Sequence, residues 1–304
     1  MDRTKQRTDQ RKVDRREFMK LAGLGGVVLV SGCASPMGPG MTTASSDFHF
    51  VQLSDSHWGF EGAAVNPDAK GTLQKAVAAV NSMQRQPDFV MFTGDLTHTT
   101  DDPKERRLRM AHFKEIVAAL KVKDVRFMPG EHDASLDNGK AFSEFFGPTH
   151  YTFDHKGVHF IVVDNVSDPA AAIGEEQLQW LRADLEQQRK DARIVVFTHR
   201  PLFDLYPQWD WATKDGARAI ELLQARDNVT VFYGHIHQEN HFMTGNIAHH
   251  SAKSLIFALP VAASQPRRLP IPWDAAVPYK GLGFRDVEAE RTAGKYAVVE
   301  LPVV

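Results

Sequence analysis

Apolar residues gather in short runs along this chain, and each run breaks off at a glycine, a histidine or a carboxylate. Phe89–Thr93 is the clearest, five β-branched, aromatic or Met positions with no polar alternation, followed at once by Gly94-Asp95. That pattern predicts a strand buried on both faces. Further strands are predicted at residues 48–53, ending in Ser54-Asp55-Ser56-His57, and at 125–128, ending in Pro129-Gly130-Glu131-His132-Asp133. Two more lie at 193–198, delivering His199, and at 229–233, ending in Gly234-His235-Ile236-His237. Between the runs the period changes. Leu73, Val77, Val80 and Met83 predict a helix behind a Thr72 cap, and Phe113, Ile116, Val117 and Leu120 a helix opened by Asp102-Pro103. Leu178, Leu181 and Leu185 predict a third helix and residues 217–225 a fourth. A strand pair at 151–153 and 158–164 turns at Lys156-Gly157, and a closing strand falls at 296–301. The proline-rich stretch 264–278 reads as a surface excursion, and no internal repeat is present. Strands alternating with helices predict an α/β layered fold.

The first residues stand outside this pattern. Residues 1–20 are polar and basic, 21–30 are apolar with three glycines, and small residues surround Cys33. That is the layout of an export signal, and about ten apolar residues fall short of the roughly 20 that span a bilayer. Asp14-Arg15-Arg16-Glu17-Phe18-Met19-Lys20 resembles the twin-arginine signal of bacteria, which sends folded proteins across the inner membrane. Val30-Ser31-Gly32-Cys33 resembles the lipobox of bacterial lipoproteins, whose cysteine is acylated and becomes the new N-terminus. Residues 1–33 are therefore read as a twin-arginine export signal with a lipobox, 34–47 as a flexible tether and 48–304 as the folded domain. The expected partners are the export machinery and, through a lipid anchor, a membrane. The expected location is the bacterial periplasm, as a membrane-anchored lipoprotein.

Composition narrows the class. With 304 residues, 42% hydrophobic and 24% charged, the chain is long enough for one large core. Its net charge of −2 conceals an asymmetry. Residues 1–20 hold eight Lys or Arg and four Asp or Glu, which leaves 28 basic against 34 acidic residues elsewhere. A nucleic-acid partner is not indicated by that balance. Cys33 is the single cysteine, so no internal disulfide forms.

The strand ends carry the chemistry. An open α/β sheet gathers such positions along its C-terminal edge, so Asp55, His57, Asp95, Glu131, His132, His199, His235 and His237 are expected in one site. Mixed nitrogen and oxygen donors suit Fe, Mn or Zn rather than Ca or Mg. Seven or eight of them imply two ions, the arrangement that hydrolyses phosphate esters.

In order, Asp55-Ser56-His57, Gly94-Asp95, Gly130-Glu131-His132-Asp133, His199 and Gly234-His235-Ile236-His237 resemble the five motif blocks of the calcineurin-like metallophosphoesterases. The connecting text, with Pro87-Asp88-Phe89 and residues 177–181, is most similar to the cyclic-nucleotide-phosphodiesterase branch. The resemblance implies central mixed β-sheets flanked by helices and two divalent or trivalent transition-metal ions. It also implies that Asp55, His57, Asp95 and His237 hold one ion and that Asp95 bridges to a second held by His199 and His235. His132, steadied by Asp133, would contact the phosphate or protonate the leaving oxygen. The implied reaction is hydrolysis of a small-molecule phosphate ester, a diester first, by a metal-bridging hydroxide. A phosphomonoesterase or nucleotidase of the same fold is the alternative.

One position departs from the family. Glu131 stands where the family has Asn, adding negative charge and removing a donor to phosphate. Glu131 is expected to ligate the second ion all the same and to favour a trivalent or harder one. A metal-binding lipoprotein with weakened turnover is the reading in which that charge dominates. The remaining polar residues carry structural expectations. His98 is read as a hydrogen-bonded loop residue, and His49, His112, His150, His155, His159 and His241 as structural or surface. His249 and His250 are expected in an exposed loop. Phe203, Tyr206, Trp209 and Trp211 are expected to pin the loop after His199, and Arg267 and Arg268 to be solvated.

Overall fold

The computed structural model describes residues 28–30, 48–290 and 296–304. The paired arginines, Cys33 and the tether lie outside the described residues. Within residues 1–33 only Val28–Val30 is described, as a short strand.

The strands are β1 (Val28–Val30), β2 (Phe48–Leu53), β3 (Phe89–Thr93), β4 (Val125–Met128), β5 (Tyr151–His155) and β6 (Val158–Val162). They continue with β7 (Arg193–Phe197), β8 (Asn228–Tyr233), β9 (Asn240–Thr244), β10 (Ile247–Ser251), β11 (Gly283–Ala289) and β12 (Tyr296–Pro302). Two six-stranded sheets result, ordered β1-β12-β11-β2-β3-β4 and β5-β6-β7-β8-β10-β9. Within them β2, β3 and β4 are parallel, as are β6, β7, β8 and β10, while β1, β12 and β11 in the first sheet and β5 and β9 in the second join by antiparallel pairs. These are the mixed sheets expected.

Alternation along the strands explains the continuous apolar runs. Phe48, Phe50, Phe89, Met91 and Met128 of the first sheet pack on Phe160, Val162, Val195, Phe197 and Phe232 of the second. Val51, Leu53, Val90 and Phe92 turn the other way, toward α1 (Thr72–Ser82), α2 (Pro103–Val117) and, past a short α3 (Glu131–Ala134), α4 (Lys140–Phe146). On the far side Ile161, Ile194, Val196 and Val231 meet α5 (Glu175–Gln187) and α6 (Gly216–Gln224). Both parities are buried, so no polar face interrupts the sequence. At the centre the Phe50 ring stacks on Phe89 at 4.9 Å and meets Phe160, Phe197 and Phe232 edge-on. Truncating it to Ala would cost about 3–5 kcal/mol.

Several expectations need correction. Thr72 is the first residue of α1 and not its cap; Gly71 holds the cap position without a side-chain bond. Asp102 does cap α2, accepting from the Lys104 amide at 2.8 Å. His249 and His250 are buried in β10 rather than exposed in a loop. Each pairs at one nitrogen with a neighbouring side chain: His249 Nε2 lies 2.7 Å from Thr244 Oγ1, and His250 Nδ1 lies 2.6 Å from His241 Nδ1. Burial pushes His249 down to about 4, so it packs as a neutral ring. The hairpin of β9 and β10, strand β11 and helix α4 are absent from the hydrophobic pattern. In β11 the fully buried Arg285 pairs with Glu300 and donates to the Ser251 carbonyl, bracing the two sheets where apolar contact would be expected. Among the described residues no helix is long and apolar enough to cross a membrane.

Candidate metal centre

The C-terminal ends of β2, β3, β4, β7 and β8 meet at one edge of the two sheets, and the chain turns through left-handed backbone after β2, β3 and β8. Asp55, His57, Asp95, His235 and His237 all take left-handed backbone, with φ of 53°, 42°, 49°, 64° and 53°. Asp55 and His57 therefore each sit in a tight left-handed position rather than in extended backbone. Such residues cost about 1–3 kcal/mol each and persist where surrounding bonds over-determine them. Here the amide of Asp55 donates to Gly94 O at 3.0 Å and that of His57 to Asp95 O at 2.9 Å. The amide of His235 reaches the Asp55 carboxylate at 3.1 Å. Gly94, at φ +94°, leaves no room for a Cβ, which would overlap the His199 imidazole and come within 2.8 Å of the Gly130 nitrogen.

All seven predicted ligands converge. Asp95, Glu131, His199 and His235 present donor atoms within 4.8 Å of one another, and so do Asp55, His57 and His237. Asp95 stands between the groups, its Oδ2 3.3 Å from His57 Nε2 and 3.4 Å from His199 Nε2. In the first group Glu131 Oε1 lies 2.8 Å from His235 Nδ1 and Oε2 lies 3.0 Å from His199 Nε2. In the second, His237 Nε2 lies 3.3 Å from both Asp55 Oδ1 and His57 Nε2.

The far side of each ring is occupied, which fixes which nitrogen faces the site. His199 Nδ1 bonds the Thr93 carbonyl at 2.7 Å and His237 Nδ1 the Phe257 carbonyl at 2.7 Å. His235 Nε2 bonds the Asp210 carbonyl at 3.0 Å, and His57 Nδ1 lies 3.3 Å from His98 Nδ1. Inside, Glu131 Oε2 and His199 Nε2 are buried with no hydrogen-bond partner among the described residues. Four oriented imidazole nitrogens with two buried carboxylates and the half-buried Glu131 fit a pair of transition-metal ions.

The charges agree with that fit. Burial pushes Asp95 upward and Glu131 repels it, yet the His132, His199 and His57 rings hold it below the carboxylate range. Burial likewise raises Glu131, and His235 and His199 more than reverse this. His199 is lowered by burial but carried well above the ordinary imidazole value by Asp95 and Glu131, which demand positive charge at that spot. Burial lowers His57 and His235, leaving them in the neutral, ligating form near pH 7.

Around the ligands the structure revises three expectations. Asp133 does not steady His132. Its carboxylate accepts from the amides of Leu96, Thr97 and Gly130 and from Thr97 Oγ1, bracing the Asp95 loop against the β4 turn. Consecutive residues of α3 point in different directions, so Asp133 cannot reach the ring beside it. His132 is held instead by Thr99, whose amide donates to Nδ1 at 3.2 Å and whose Oγ1 lies 2.6 Å away. His132 Nε2 then faces the site, 4.0 Å from Asp95 Oδ2. His98, beyond its loop role, backs His57 and stacks on His132 at 5.0 Å. Arg268 is not simply solvated: it lines the cleft of about 140 Å³, donates to Trp209 O at 2.9 Å and stands 3.4 Å from His235 Nε2. Phe203, Trp209 and Trp211 are buried with Tyr233 and Ile236 and pin the loop as expected. Sequence reasoning passed over two further residues. Arg200 places Nε 3.7 Å from Glu131 Oε2, and Asn165 Oδ1 accepts the amides of His199 and Arg200. Asn165 follows β6 at the same sheet edge, a position that could have flagged it.

Residues 48–239 match the model of the calcineurin-like phosphoesterase family, from β2 to just past His237. The chain belongs to the calcineurin-like phosphoesterases. That family is one of dimetal-dependent phosphoesterases, and this calcineurin-like domain is a metal-dependent hydrolase fold with candidate ligands in place. A Rhodococcus erythropolis protein named "Probable cyclic nucleotide phosphodiesterase" is 29% identical over 203 residues, 62% of this chain and 65% of the relative. The Mus musculus "Serine/threonine-protein phosphatase CPPED1" is 25% identical over 218 residues, 63% of this chain and 70% of the relative. The match thus spans about two thirds of the length of each of these two relatives. The fold is also that of a dimetal phosphatase from Danio rerio, with a TM-score of 0.57 at 13% identity over 86% of this chain and 99% of the other.

Proposed function

We propose that the chain hydrolyses a phosphodiester at a two-metal centre. Asp55, His57, Asp95 and His237 would hold one ion, with Asp95 shared, and Glu131, His199 and His235 the other. The observation that carries this reading is the placement of Asp95 Oδ2 between two imidazole-lined groups, within 3.4 Å of a ring in each. Fe, Mn or Zn ions held there would place positive charge against the phosphoryl oxygens and ease deprotonation of the attacking water.

The chain's own residues do the rest. The Thr99 amide donates to His132 Nδ1, which puts the ring proton on Nε2, the nitrogen facing the cleft. As the water oxygen bonds to phosphorus and the ester P–O bond breaks, that proton passes to the departing alkoxide. Glu131 contributes both carboxylate oxygens to the second group and favours a trivalent or harder ion. Arg200 and Arg268 offset its added charge, and Arg268, with donors to spare, replaces the phosphate donor that a neutral amide would have supplied.

The diester assignment is supported by the name of the Rhodococcus relative; the name of the mouse relative supports a monoesterase as the second reading. Rates on bis(4-nitrophenyl) phosphate and 4-nitrophenyl phosphate, measured on one metal-loaded sample, separate them. The proposal expects the diester to have the larger kcat/KM, and a monoester preference overturns it. For location we propose twin-arginine export and a lipid anchor at Cys33, on the sequence of residues 1–33. Cys33→Ala should move the protein from the membrane to the soluble periplasmic fraction; retention in the membrane contradicts the anchor.

A further inference from the structure

A second cavity, of about 320 Å³, adjoins the metal cleft. Its walls are mainly apolar, including Val65, Ile256, Ile271, Trp273 and Val277, and Phe257 lines both it and the cleft. Phe257 is fixed from both directions. Its carbonyl takes the His237 Nδ1 bond, and its ring lies 4.6 Å from the His237 ring and stacks on His57 at 5.5 Å. The outer wall is continuous with the cleft in the same way, because Pro270 lines the cleft and the next residue, Ile271, lines the cavity.

The cavity is built. Ile271 donates its amide to Ala258 O at 2.9 Å and Trp273 to Ala64 O at 3.0 Å, while the buried Asn66 side chain donates to Ile256 O at 2.7 Å. Ile271, Trp273 and Val277 nonetheless remain 45%, 38% and 43% exposed, a cluster of large apolar side chains left open to water beside the cleft. Single exposed apolar residues are ordinary, but a cluster lining a concave surface marks a binding site. The metal cleft itself, at about 140 Å³, has room for a phosphoryl group and little else. A substituent on that group that leaves past Phe257 and Pro270 enters the apolar cavity.

We infer that this cavity binds an apolar substituent of the phosphoester, so the substrate class is a phosphoester carrying an alkyl or aryl arm. The inference rests on the phosphoesterase reading of the metal centre. It predicts that apolar arms gain affinity independently of turnover, so binding of phosphonates tests it. Methylphosphonate and hexylphosphonate are titrated into the metal-loaded full chain, following tryptophan emission, with Trp273→Phe identifying the part of the signal that arises at the cavity. Hexylphosphonate should bind at least about ten-fold tighter than methylphosphonate, a modest share of what burial of five methylenes can give. In Ile271→Glu, a substitution at a half-open position whose fold is checked by circular dichroism, the ratio should fall toward one. If methylphosphonate binds and the hexyl arm adds nothing, the cavity assignment is overturned and the phosphoesterase reading stands. If the hexyl preference persists undiminished in Ile271→Glu and the Trp273 signal does not respond, the arm lies elsewhere and the assignment is likewise overturned. If neither phosphonate binds, the reading of the metal centre falls and the cavity assignment falls with it.

Discussion

Thr99 Oγ1 lies 2.6 Å from Nδ1 of His132, and the Thr99 amide points at the same nitrogen from 3.2 Å. The ring is thereby set with Nε2 toward the site, so Thr99, in the loop after β3, controls the proton of a ring carried by α3 after β4. His132→Ala should lower kcat by about 10²–10⁴-fold on substrates with poor leaving groups. Thr99→Val keeps the amide but loses the hydroxyl, and about a ten-fold loss is expected, smaller for nitrophenolate than for alkoxide leaving groups. Steady-state kinetics across a leaving-group series checks this. Equal losses for all leaving groups would remove His132 from proton transfer.

Arg268 is held at one nitrogen by the Trp209 carbonyl, and among the described residues its Nε and Nη2 have no hydrogen-bond partner. A charge-assisted hydrogen bond is worth about 1.5–3 kcal/mol, so Arg268→Ala should weaken inhibition by inorganic phosphate roughly 10- to 100-fold. Metal content should not change. Inhibition constants on wild type and variant decide the matter.

Gly94 is the tightest backbone position of the site. In Gly94→Ala the new methyl group meets the His199 ring and the residue keeps a left-handed φ of +94°. Strain of about 1–3 kcal/mol plus the clash should lower Tm by several degrees and displace His199. Calorimetry should therefore show lost stability together with weakened metal retention on dialysis.

Away from the site, His159 bridges the β5–β6 hairpin to α5, with Nδ1 2.8 Å from Asp154 and Nε2 2.9 Å from Asp184. Burial lowers its pKa, but the Asp184 and Asp154 bonds win and leave it raised. A raised value means that the folded state holds the proton more tightly than the unfolded state. The stabilisation is complete below the ordinary histidine value and fades as pH rises through the raised one. His159→Gln should thus cost about 1 kcal/mol at pH 5.5 and progressively less toward pH 9. Urea melts of both proteins at the two pH values measure the difference.

The central parallel strands are legible because both of their faces are buried, so Phe89–Thr93 presents an unbroken run with a sharp end. The ligands are legible for the same reason, since each follows such an end. Elements that rely on polar pairing are not. The strand Ile247–Ser251 carries two buried histidines, each paired at one nitrogen with Thr244 or His241, and Gly283–Ala289 buries Arg285 against Glu300. Neither partner is near enough in sequence to show the pairing for Arg285. The partner of His132 was misread for a related reason. Adjacent Asp133 is close along the chain, but the one-turn helix points it at the Leu96 and Thr97 amides, while Thr99 arrives from another loop.

Elemental analysis of the purified chain, wild type against Asp95→Ala and Glu131→Ala, addresses the dinuclear centre directly when hydrolysis of bis(4-nitrophenyl) phosphate is followed on the same samples. Two transition-metal ions per chain are expected in the wild type, about one in Glu131→Ala, and fewer still in Asp95→Ala with hydrolysis abolished. A wild-type chain that hydrolyses the diester with one ion or none, or an Asp95→Ala variant that keeps both metals and activity, would contradict a shared Asp95 at the heart of the site.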